Sequence, residues 1–139
     1  MEWTLQPGDP AAVPRLRRRI MERLRHIAAP DADLAATEIV VAELLSNAMS
    51  HTTGPAWISL CWDGTHPLLS VADLGPGFLV GQDLVDQRRT LTPRLPADPM
   101  SESGRGLYLV ARLALDVAVA ARATGGTVVS VTLDIKRAG

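Results

Sequence analysis

The 139-residue chain is short of several things, and each shortage closes off a class of function. It has a single cysteine, Cys61, which excludes an internal disulfide and offers no thiolate cluster to a metal, as suits a reducing cytoplasm. It has almost no net charge: 14 basic against 15 acidic side chains leave −1, so nothing global favours nucleic acid or an anionic membrane as the main partner. No apolar run is long enough to span a bilayer, and the opening Met1-Glu2-Trp3-Thr4-Leu5-Gln6-Pro7 lacks the basic-then-apolar pattern of an export leader, so a cytoplasmic protein is expected. There is no internal repeat. There is also no Walker sequence, which removes the P-loop enzymes from consideration. At this length one domain, residues 1–139, is expected around one core.

What is present is organised around Glu43-Leu44-Leu45-Ser46-Asn47-Ala48-Met49-Ser50-His51. Glu43, Asn47 and His51 recur at steps of four and line up along a helix, with Val41, Leu44, Leu45 and Ala48 roughly opposite as a core-facing stripe. A carboxylate and a carboxamide one turn apart suit holding a hard cation and moving a proton. Taken alone, the same spacing also describes polar residues facing water.

The remaining elements follow from periodicity and punctuation. Residues 3–6 are predicted as a short edge strand stopped by Pro7-Gly8-Asp9-Pro10. Val13, Leu16, Ile20, Leu24 and Ile27 recur at helical spacing, with Pro14 tolerable in the first turn and six arginines between Arg15 and Arg25 forming a basic outer face. That face reads as solvated surface or as a dock for an acidic protein. Pro30-Asp31-Ala32-Asp33 breaks the chain and supplies a carboxylate cap for the second helix, which runs to about His51. Ala56 to Trp62 and Pro67 to Asp73 are predicted as a hairpin, as are Asp116 to Ala121 and Thr127 to Ile135; a third helix opens near Leu107. The sum is an α+β two-layer sandwich, a mixed and mostly antiparallel sheet covered on one face by about three helices.

Three further motifs carry chemistry. Asp73-Leu74-Gly75-Pro76-Gly77 follows a strand, where glycines let the backbone approach a flat ligand and an aspartate can accept a hydrogen bond from an exocyclic amine or cap a turn. Gly104-Arg105-Gly106 opens a helix, exposing free amides at the positive end of its dipole, a seat for phosphate. Gly126-Thr127 places a hydroxyl at the head of the last strand. Between the first two lies a segment punctuated by Pro93, Pro96 and Pro99, too long to be an idle connection.

Their order resembles the Bergerat-fold, or GHKL, nucleotide-binding family of gyrase, Hsp90, MutL and the histidine kinases, over about Val13 to Leu133. Within it the chain is most similar to the stand-alone serine kinases that act as anti-sigma factors. It is too short for the phosphoacceptor helices of a sensor kinase or a transducer domain, and it carries glutamate at position 43, where histidine kinases usually have asparagine.

The resemblance implies ATP and Mg²⁺ as cofactors, with Asn47 as the metal ligand and Glu43 as the general base toward a serine hydroxyl or a water. It further implies that Asp73 reads adenine, with Gly77 beneath the base, Gly75 also in the nucleotide site and Thr127 closing that pocket. Gly104, Arg105, Gly106 and Leu107 would offer amides to the phosphates, and residues 79–103 would form a lid. The implied partners are a sigma factor and an anti-anti-sigma protein phosphorylated on serine, with a homodimer possible and no direct contact to nucleic acid or membrane. Ser50 stands where many relatives have a cation, so Arg105 is the candidate to replace that phosphate contact.

Overall fold

The computed structural model describes residues 1–51, 54–62, 64–73, 109–121 and 126–138. Its elements are β1 (Glu2–Leu5), α1 (Ala12–Ile27), α2 (Leu34–His51), β2 (Ala56–Cys61), β3 (Leu68–Asp73), β4 (Asp116–Ala121) and β5 (Thr127–Thr132), with residues 109–113 also helical. The strands form one five-stranded sheet in the order β1-β2-β3-β5-β4, and each neighbouring pair is antiparallel. The fold is therefore the expected α+β sandwich, its described pairings wholly antiparallel rather than mixed.

Local chemistry explains the helix boundaries. The Ala11 N–H donates to Asp9 Oδ1 at 3.0 Å, and the missing N–H of Pro14 falls in the first turn of α1, where no intrahelical partner is needed. Arg25 and His26 lie in the last turn, where cations complement the helix dipole. The chain then leaves in extended geometry at Ala28, which ends the helix. At the start of α2, Asp33 Oδ1 accepts from the Ala35 N–H at 3.0 Å, the cap expected from Pro30-Asp31-Ala32-Asp33.

Burial on α1 falls on Leu16, Ile20, Met21 and Leu24, so the core stripe includes Met21 and leaves Val13 and Ile27 half-buried at its edges. The second helix carries Val40, Val41, Leu44, Leu45 and Ala48, all at most 1% exposed, because it packs against both α1 and β3. Strand alternation supplies the other half of the core: Leu5, Ala56, Ile58, Leu60, Leu69, Val71, Val129 and Val131 all point to the helices. Residues 133–138 turn back to seal one end, Leu133 and Ile135 buried and the Ala29 N–H bonded to the Lys136 carbonyl at 2.8 Å.

Leu44 is fully enclosed at the centre of this core. Leu44→Ala should cost about 2–5 kcal/mol, from lost transfer energy plus a residual cavity. A urea midpoint that falls at unchanged slope would register it; an unmoved midpoint would contradict the packing described.

Candidate functional site

The sheet register creates one arrangement that no local motif announces. Asp73 is the direct partner of Ala56 on one side and of Thr127 on the other. Cross-strand partners share a face, and this row, which continues to Leu5 on β1, lies on the helix side. Asp73 and Thr127, which are 54 positions apart in sequence, thus stand side by side at the end of the sheet's two central strands, Asp73 buried at 1% exposure and Thr127 half-buried. Ala56, fully buried, is the small neighbour of Asp73 on the β2 side.

Above β3 lies α2, which contributes Glu43 and Asn47. The two are not equivalent: Asn47 is 5% exposed, whereas Glu43 is half-buried. A helix turns about 100° per residue, so a step of four overshoots a full turn by about 40° and rotates Asn47 away from Glu43 toward the Leu44–Ala48 stripe. The polar line expected from the sequence is therefore a spiral that dips into the core at Asn47. There Nδ2 is buried without a hydrogen-bond partner among the described residues. Leaving an amide donor unsatisfied costs about 1–3 kcal/mol, a cost that sites built for a ligand commonly carry. Glu43, by contrast, makes no ion pair among the described residues.

His51 ends α2, and its side chain and that of Ser50 are not among those described. Gly75, Gly77, Gly104, Arg105, Gly106, Leu107 and the expected lid at 79–103 lie outside the described residues. Of the site residues expected from the sequence, Glu43 and Asn47 lie on α2, which packs against β3, and Asp73 and Thr127 are register partners where β3 closes and β5 opens.

The donor set bears on a metal. No group of three or more His, Cys, Asp or Glu side chains is gathered among the described residues to cage an ion. Mg²⁺ needs few protein ligands when phosphate oxygens and waters supply the others, so a single amide oxygen from Asn47 fits an ion carried in with a nucleotide.

A helix bearing an acid and a buried amide, packed on an antiparallel sheet in which one strand closes on a buried aspartate, makes the described fold an α+β sandwich. Residues 6–133 match the family model described as the histidine kinase-like ATPase domain, and the chain belongs to that family. Among the solved structures that share the fold are the following two. One is full-length ShkA in complex with AMPPNP, at 23% identity and a TM-score of 0.55 over 97% of this chain. The other is the mycobacterial sensor histidine kinase MprB, at 19% identity and a TM-score of 0.54, with 99% of both chains covered. This chain spans 32% of the length of the ShkA chain. No curated protein matches it. No described helix is long and apolar enough to cross a membrane.

Proposed function

We propose that the protein is an ATP-dependent protein serine kinase of the anti-sigma type, one that binds a sigma factor and transfers the γ-phosphoryl group of ATP to a serine of an anti-anti-sigma partner. The observation that carries the reading is the pairing, on one core helix, of a half-exposed carboxylate free of any described cation with a buried, unsatisfied carboxamide one turn on. A module that only holds ATP has no use for an unpaired acid beside the metal ligand. A protein that moves a proton from an attacking hydroxyl does.

Each residue then has a task. Asn47 would hold Mg²⁺ through its side-chain oxygen, and its buried N–H group, without a partner among the described residues, would be free to donate to phosphate or bound water. Glu43 accepts the proton of the incoming serine hydroxyl, or orients a water when no protein substrate is present. Bound Mg²⁺-ATP supplies the electrophilic phosphorus and a counter-charge on its oxygens. Asp73 accepts a hydrogen bond from the adenine amine, and the adjacent Thr127 hydroxyl closes that end of the pocket, as their register allows. Gly77 would lie beneath the base, with Gly75 also in the nucleotide site, and the amides of Gly104, Arg105, Gly106 and Leu107 would face the phosphates.

The nucleotide assignment has a direct test. Asp73→Asn puts an amide where a carboxylate accepts from adenine and should weaken ATP about 10- to 100-fold by calorimetry, the worth of a buried hydrogen bond to a charged group. Wild-type protein that prefers GTP would refute the assignment. For the reaction itself, the protein is incubated with labelled ATP and purified single-domain candidate partners, and label on partner serine is scored against free phosphate. Label on serine is expected; release of phosphate alone would reduce the proposal to an ATPase, and neither product would leave a nucleotide-gated binding module.

A further inference from the structure

The six arginines of α1 are not a uniform coat. Arg15, Arg19 and Arg23, spaced by four, face the edge of the sheet, where two adjoining hollows of about 220 and 520 Å³ separate α1 from β1. Trp3 floors both hollows, a half-buried ring beneath exposed guanidinium groups. Arg15 bonds only to exposed Asp9 at 3.5 Å, a pairing of the kind that contributes little, and Arg19 and Arg23 have no ion-pair partner among the described residues. Glu22 is the acid that shares the lining. The groove is therefore positive, with an aromatic base.

Its other wall is an edge strand. Among the described residues β1 is the terminal strand of the sheet and pairs with β2 alone. Such an edge offers backbone N–H and C=O groups to a further strand. Its two faces differ in charge: Trp3 and Leu5 lie on the helix side below the arginines, whereas Glu2 and Thr4 lie on the outer side.

We propose that this groove is a strand-docking site: an extended segment of a partner protein, carrying acidic residues at alternate positions, adds to the free edge of β1 and lays its carboxylates across Arg15, Arg19 and Arg23. The spacings agree. Arginines four apart on a helix rise about 6 Å per step. Side chains on one face of a strand repeat every two residues, about 6.8 Å. Over two steps the difference is below about 2 Å, well within the reach of a flexible arginine. Alternation also keeps acids off the outer face, where Glu2 would repel them. The inference does not depend on the kinase reading, since the groove is formed by α1 and β1 without nucleotide.

The test uses the intact protein and a synthetic peptide of about seven residues, alternating aspartate with valine, the length of a short strand. An isomer of the same composition with its aspartates contiguous serves as control. The alternating peptide should bind in the absence of ATP, weaken as salt rises, and lose on the order of tenfold in affinity with Arg19→Glu/Arg23→Glu. Arg18→Glu/Lys136→Glu, which changes net charge equally at exposed positions outside the hollows and outside the described ion pairs, should leave it within about twofold. Equal binding of the contiguous isomer, equal weakening by both variant pairs, or equal binding of a single-stranded oligonucleotide would overturn the proposal. So would a homodimer, seen by light scattering without peptide, that only Arg19→Glu/Arg23→Glu dissociates, because a second copy would then fill the groove.

Discussion

Replacing Glu43 with alanine should leave ATP affinity within a few-fold and slow phosphoryl transfer by about 100- to 10,000-fold, the range a positioned base contributes. The asymmetry follows from position. Glu43 is half-buried on α2, four residues before the enclosed Asn47, so it is the more exposed of the two. No salt bridge among the described residues involves it, so its removal strands no described cation and the fold should persist. Single-turnover transfer at saturating ATP separates the two quantities. Transfer at the wild-type rate would remove Glu43 from the chemistry, and loss of ATP binding in parallel would assign it to the nucleotide instead.

Asn47→Ala is expected to act on binding rather than on the later step. Loss of the amide oxygen removes the one metal ligand proposed on the described chain, so Mg²⁺-dependent ATP affinity should fall below detection in millimolar titrations. The free protein should behave differently. Truncation opens a small cavity, but it also deletes a buried N–H group that has no partner among the described residues, and the two effects oppose each other. Unfolding stability without nucleotide should therefore stay within about 1 kcal/mol of wild type. A structural asparagine would show the reverse, a large loss of stability and little change in ligand affinity. Wild-type protein that binds ATP equally with and without Mg²⁺ would also defeat the metal role.

Much of the architecture was legible because its causes are local. The Asp33 cap, the extended exit after Ile27 and the turn residues between β2 and β3 each depend on side chains within a few positions of the boundary they set. The helical spacing of Leu16, Ile20 and Leu24 marks the buried face of α1, although Met21 joins it and Val13 only borders it. Asn47 shows where this reasoning weakens. A step of four reads as one face, yet whether the 40° drift carries the amide into water or into the core depends on which elements cover the helix. With α2 packed against both α1 and β3, it is buried.

From residue order alone come the helices and strands, the α+β class, the acid and amide on α2, the aspartate at the close of β3 and the arginine repeat on α1. Folding alone decides that β5 inserts between β3 and β4, which seats Thr127 beside Asp73, and that β1 takes the sheet's far edge, which sets Trp3 beneath Arg19. The division has a physical basis. Helical periodicity and capping are satisfied within a few residues, whereas strand order is chosen by which pairings bury the apolar faces together, a comparison between segments far apart in the chain.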